Sequence, residues 1–387
     1  MSERRPIRVA VLGAGGLGKA AARIIGMKRE LRLTAICDSQ GLVASAEGLE
    51  GGSIAELTGD LVDGYRAWSS AAASRRSDGR QAYASSAEEP GGGVATEVAV
   101  DVQPSPLLGT AVLSEPNCLA SRAIESRHCD DPIGELLAMP EAFDAVLVAL
   151  PNLPNEFIPG VIRRFTDQDR SLVFVDVLKR TRAVELMFGL DECAQRARSV
   201  VMTGCGATPG LLAAAAVLAA QSFIEVERVD IWWGVGLANW DTHKATIRED
   251  IAHLPGYTVE RAKAMSDAEV DTLLEQTNGL LELRRMEHAD DVLLQRVGVV
   301  DDPGRVEVGG VMDTRHPQKP VSTTMTLTGL TFEGKRSSHK FILGDETTMA
   351  ANVIGPALGY LKRGVWLKTR GLYGVFGSTE FLPMVVR

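Results

Sequence analysis

Residues 7–18 read IRVAVLGAGGLG, and the rest of the chain is placed by them. Ile7–Leu12 is a run rich in β-branched residues of the kind buried on both faces of a parallel sheet. Gly13-Ala14-Gly15-Gly16-Leu17-Gly18 then predicts a tight turn, and Lys19–Met27 predicts the helix that leaves it. Leu31–Cys37 (LRLTAIC) predicts a second strand, closed by Asp38. Strand, glycine turn, helix, strand and acid fit within about thirty residues, the size of one βαβ unit. In such a turn Gly13 permits the tight bend, Gly15 lets a ligand approach the backbone, and Gly18 lets helix and strand pack closely. The helix start offers unpaired N–H groups and the positive end of a dipole.

In that setting the glycine pattern predicts a Rossmann dinucleotide site formed by Gly13, Gly15, Gly16, Leu17, Gly18, Asp38 and Ser39. Asp38 is expected to accept hydrogen bonds from ribose hydroxyls. Its charge opposes a 2′-phosphate, and Ser39-Gln40-Gly41 brings no arginine, so NAD is favoured over NADP.

The βα alternation resumes further on. Phe143–Leu150, Leu172–Val177 and Ser199–Thr203 predict strands; Ile133–Ala138, Phe157–Phe165 and Arg182–Arg196 predict helices. The fold class expected is α/β, with an N-terminal doubly wound Rossmann domain over residues 1–208. Residues 41–140 form a long irregular region within it: 44–68 allow one or two helices, 69–93 read as an exposed insertion, and 94–102 as a strand. After Pro209 the pattern changes. Val226–Val235, Val297–Val311 and Ser322–Thr331 predict strands, and Asp267–Leu281 a helix. These predict an α+β substrate or dimerisation domain over residues 209–345, on a largely antiparallel sheet. Glu346–Leu361 predicts a helix that returns to the first domain, within residues 346–387.

Ligands of open α/β sheets lie beyond the carboxyl ends of the strands. Leu150, Pro151 and Asn152 end one strand and Gly204 another, and all four join the expected cofactor wall. Lys179 follows a third and is the candidate for proton transfer, against the alternative of a solvated lysine at a helix start. Cys205 sits in a glycine-rich turn before a helix, where a lowered thiol pKa makes a nucleophile; the alternative is a small residue in a crowded turn. His243 is a third catalytic candidate. Trp240, Asp241, Lys244 and Arg248 supply the charges and surface an amino-acid-like substrate needs, or else form a solvated helix start.

The GAGGLG turn, Ala149-Leu150-Pro151-Asn152 after a mid-domain strand, and Gly204–Gly210 (GCGATPG) before an alanine-rich helix resemble saccharopine dehydrogenase-like oxidoreductases, the carboxynorspermidine dehydrogenase relatives among them. Homoserine and diaminopimelate dehydrogenases are more distantly similar. The resemblance implies an NAD(P)-dependent oxidoreductase acting on an amine-, imine- or hydroxyl-bearing carbon of an amino-acid-derived small molecule. Two other readings stay open: an aldehyde dehydrogenase with Cys205 as nucleophile, and a non-catalytic NAD(P)H-binding redox sensor.

The 387 residues are 45% hydrophobic and 24% charged, ordinary for a globular chain. A net charge of −9 argues against a nucleic-acid partner. Five cysteines without CxxC or zinc-ligand spacing predict no metal and a reducing, cytoplasmic setting. The longest apolar stretch, Leu211–Ala220, is too short for a membrane span. A homodimer and a small-molecule substrate complete the expectation.

Overall fold

The computed structural model describes residues 5–72, 125–139, 141–151, 154–237, 244–344 and 348–387. The chain begins with β1 (Ile7–Leu12), α1 (Gly16–Gly26), β2 (Leu31–Cys37), β3 (Gly41–Ala44), α2 (Gly51–Glu56) and α3 (residues 61–72). It continues through β4 (Glu125–His128), α4 (Pro132–Leu137), β5 (Ala145–Val148), α5 (Phe157–Thr166), β6 (Val173–Asp176), α6 (Thr181–Phe188), α7 (Asp191–Arg196) and β7 (Val200–Thr203). A second group holds α8 (Leu211–Ala220), β8 (Phe223–Gly236), α9 (Lys244–Ile251), α10 (Val259–Ala264), α11 (Asp267–Gln276), β9 (Leu280–Leu283), α12 (Asp290–Arg296), β10 (Val306–Asp313), β11 (Thr323–Thr331) and β12 (Arg336–Leu343). Then α13 (Met349–Thr369) and β13 (Gly374–Gly377) return to the first group.

The first sheet runs β13-β7-β6-β5-β1-β2-β3-β4. All pairings from β13 to β2 are parallel, and β3 and β4 close the far edge antiparallel. The order reverses between β1 and β5, the switch point of a doubly wound sheet. Its central strands are buried on both faces, which is why they read as unbroken apolar runs. One face packs on α1 and α13 through Ala21, Ile25, Ile354 and Leu358; the other packs on α5 and α6 through Ile162, Phe165 and Val184.

The second sheet runs β12-β11-β8-β10-β9, with only β8 and β10 parallel. One face carries its core: Val229, Ile231, Met325 and Leu327 meet Leu212 and Ala216 of α8 and Val270 of α11. Along β11 buried residues alternate with half-exposed ones, the mark of a sheet covered on one side. Thus the α/β class, the doubly wound first sheet and the largely antiparallel second sheet are as the sequence predicts.

Details differ. The single helix expected over 182–196 is two, α6 and α7, because the chain turns at Gly189-Leu190. Residues 297–302 are not a strand, and β10 starts only at Val306. The returning helix is longer at its far end, and it delivers the unforeseen β13 beside β7. The strand expected at 94–102 and most of the insertion expected at 69–93 lie outside the described residues.

Candidate functional site

Helix and strand pack so closely at the first turn that two glycines have no alternative. A Cβ on Gly18 would sit 1.8 Å from the Gly13 carbonyl oxygen, and one on Gly13 would sit 2.4 Å from that of Ala149. Gly13 also holds φ +106°, which L residues rarely adopt. Around Gly15 and Gly16, by contrast, a Cβ would meet nothing within 4 Å. The turn is therefore tight on the sheet side and open above, where the α1 N-terminus begins.

Asp38, just past β2, is half-buried. Its Oδ1 accepts the backbone N–H of Gln40 (2.8 Å) and of Gly41 (3.1 Å), fixing the β2–β3 hairpin. Ser39 is exposed beside it, Leu150 packs on the core, and Pro151 is exposed. Asn152 lies outside the described residues, as do Trp240, Asp241 and His243. Lys244 starts α9.

A buried polar cluster lies at the ends of β6 and β7, facing the second group. Asp176, the last residue of β6, is fully buried. Its Oδ1 accepts the Leu178 N–H (3.0 Å), the Thr203 hydroxyl (3.1 Å) and the Gly204 N–H (2.9 Å). One carboxylate oxygen thereby ties the turn before Lys179 to the turn after β7. Burial raises this carboxyl to about 6, against the pull of those three donors.

Lys179 leaves that turn half-buried. Its Nζ lies 3.7 Å from Asp250 Oδ1 on α9, and the Asp250 side chain is 4% exposed. An ammonium-to-carboxylate approach in such a seam is poorly screened by water. The Lys179 backbone carbonyl accepts the Ala289 N–H at 2.8 Å. Just beyond, the Thr208 hydroxyl donates to Asp290 Oδ2 at 2.6 Å, and that oxygen also lies 2.7 Å from His288 Nδ1, outside hydrogen-bond alignment. His288 and Asp290 are both buried, and Thr181 donates to Asp291 (3.1 Å).

One candidate is corrected. Cys205 is fully buried, and burial, with Asp176 nearby, pushes its thiol far above the ordinary range. A thiol so placed is neither accessible nor easily ionised, so Cys205 is the small residue of a crowded turn. Arg248 donates to the Met265 carbonyl (2.7 Å) and pairs with Asp267, joining α9 to the start of α11. Sequence reasoning names no role for Asp176, Thr208, Asp250, His288 or Asp290, although three of them left a trace: Asp176 as an acid ending an apolar strand, Thr208 inside the Gly204–Gly210 turn, and Asp250 at the close of the polar run that begins at Trp240.

Fold and seam together define a two-sheet α/β protein with a charged seam at the carboxyl edge of a Rossmann-type sheet. No family model matches the chain. It is 41% identical, over 97% of its own length and 99% of the relative's, to the (S)-8-amino-7-oxononanoate synthase BioU of Haloferax mediterranei. The chain belongs to the BioU family, and it is an enzyme. Among solved structures, diaminopimelate dehydrogenase of C. glutamicum in complex with DAP is 15% identical, at a TM-score of 0.49, over 97% of this chain and 94% of that one. An engineered D-amino acid dehydrogenase bound to NADP+ is 14% identical, at 0.48, over the same shares.

The family finding overturns the saccharopine dehydrogenase-like resemblance and the NAD(P)-dependent oxidoreductase function it implied. The oxidoreductase reading, the aldehyde dehydrogenase and the redox sensor fall with it, and so does the expected NAD or NADP cofactor. Gly13 and Gly18 are demanded by strand–helix packing whatever the turn binds, so the pattern reports a fold more securely than a ligand. Among the described residues no helix is long and apolar enough to cross a membrane.

Proposed function

We propose that this chain forms (S)-8-amino-7-oxononanoate or a closely similar α-amino ketone carboxylic acid. The observation that carries the reading is 41% identity to a synthase of that name across nearly the whole of both chains. The seam between β6, α9 and α12 offers chemistry suited to it. Forming an α-amino ketone requires proton movement at a carbonyl and at the carbon or nitrogen beside it, and a lysine held near a carboxylate can give and take such protons. Lys179 is the group we assign to that task, with Asp250 balancing its charge. The open start of α1 at Gly15 and Gly16 is proposed to receive an anionic group of a ligand.

The other expectations enter here as parts of the proposal: a small-molecule substrate, a substrate domain over residues 209–345, and a homodimer. The edge strand β12 supports the last. Seven of its eight residues are exposed, Ile342 and Phe341 among them, and nothing pairs with its outer edge in the described sheet. Four described cysteines are free thiols, which suits the proposed cytoplasmic setting.

The test is growth of a bacterial strain that depends on added (S)-8-amino-7-oxononanoate, with product followed by mass spectrometry. Expression of this chain is expected to remove the dependence, and Lys179→Met to restore it. Continued dependence with abundant folded protein would overturn the reading. Rescue by Lys179→Met would remove Lys179 from the reaction.

A further inference from the structure

The start of α12, with Ala289 just before it, touches both turns of the seam, though it belongs to the other sheet's half of the chain. Ala289 N–H holds the Lys179 carbonyl at 2.8 Å. Asp290 holds the Thr208 hydroxyl at 2.6 Å, and Asp291 holds that of Thr181 at 3.1 Å. Asp290 is wholly buried and His288 nearly so. A buried carboxylate is costly unless its oxygens find donors, and an apolar side chain would fill the seam without that cost. What Asp290 adds is direction, since a hydroxyl-to-carboxylate bond holds only over a narrow range of distance and angle. The path from Thr208 to Lys179 is short and continuous: hydroxyl to Asp290, one residue back along the chain to Ala289, and its N–H to the Lys179 carbonyl.

We infer that Thr208 and Asp290 are positioning residues for Lys179, fixing its backbone relative to the Gly204–Gly210 turn through the Ala289 hydrogen bond. The inference rests on the synthase reading for its catalytic meaning, while the placement of Lys179 can be measured without it. A lysine displaced by about 1 Å from a reacting carbonyl loses about a hundredfold in rate, so even partial slackening is visible in turnover.

The experiment compares Thr208→Val, which keeps shape and removes the donor, with Thr208→Ser, which keeps the donor. Product formation by the wild-type protein is measured first. If there is none, the synthase reading fails, and the inference is judged on a second readout alone: the rate of reductive methylation at Lys179, followed by peptide mass spectrometry of the intact folded protein. Thr208→Val is expected to change that rate about threefold or more and to lower kcat about tenfold or more with KM little altered. Thr208→Ser is expected to restore both. Wild-type labelling and turnover in Thr208→Val would overturn the inference, and so would a Thr208→Ser variant as impaired as Thr208→Val. Should Thr208→Val fail to fold, Asp290→Asn takes its place, with an unchanged Lys179 labelling rate as the overturning result.

Discussion

Two glycines three residues apart do different work, and a methyl group separates them. At Gly18 an added Cβ meets the Gly13 carbonyl oxygen at 1.8 Å, so Gly18→Ala must pull α1 off β1. Overpacking of this kind costs about 1–3 kcal/mol, and thermal melting should show it directly. At Gly15 the added Cβ meets nothing within 4 Å, and φ −72° suits any residue. Gly15→Val is therefore expected to melt like the wild type while losing product formation, because the valine occupies the proposed ligand side of the turn. A fully active Gly15→Val would mean that the open side binds nothing. Asp176 makes a pH prediction. Its carboxyl has a value of about 6 when folded against an ordinary 3.8, so the folded state holds this proton more tightly than the unfolded chain does. The contribution is present in full below about pH 4 and is lost as pH rises through about 6, a change of about 3 kcal/mol at most. Denaturant titrations from pH 4 to 7 should show this dependence in the wild type and its absence in Asp176→Asn. Equal pH slopes in both would show that the carboxyl titrates normally.

Among the elements, α13 binds the molecule together. It lies on β5, β6 and β7 and contacts α1, and its Tyr360, fully buried, donates to the Ser378 carbonyl at 2.8 Å just after β13. Tyr360→Phe leaves that carbonyl without its donor inside the core, so a loss of about 1–2 kcal/mol in stability is expected from denaturant unfolding. The helix was legible in the sequence, and the strand it delivers was not. Gly374–Gly377 (GVFG) is too short and too glycine-rich to look like a strand, and only β7 beside it makes it one. Similarly, β12 reads RSSHKFIL, polar over its first five positions and without period-two alternation, since only Leu343 of its eight residues is buried. Strands β1, β2, β5, β6 and β7 were legible because burial on both faces writes itself as apolar residues. The seam was mostly illegible: Asp250 and the 288–290 segment are far from Lys179 in sequence, and only tertiary packing brings Asp250 to its ammonium and Ala289 to its carbonyl.

For the whole molecule the main expectation concerns the free edge of the second sheet. An exposed edge strand with Phe341 and Ile342, beside the 71%-exposed Phe332, is a surface that chains normally cover or protect with charge. If two copies pair there, sedimentation velocity should give a dimer, and Ile342→Asp with Phe332→Asp should shift it to monomer without lowering the melting temperature. A wild-type monomer at micromolar concentration would end the homodimer proposal. The two sheets also explain why a dehydrogenase-like sequence signature accompanies a synthase relative. The glycine turn is a requirement of the first sheet's packing, while the polar seam lies elsewhere, where Asp250 meets Lys179 beyond β6 and Asp290 meets Thr208 beyond β7.

The order of strands also bears on the protein's birth. On the ribosome, β7 is complete once Thr203 has been made, yet its partner β13 begins about 170 residues later, at Gly374. At about 5–20 residues per second, that edge stays unpaired for about 10–35 seconds of translation. During this interval the nascent sheet lacks both its last strand and the helix that covers β6 and β7. A product truncated between Thr203 and Gly374 emerges with the same unpaired edge, a strand edge open to pairing with another chain.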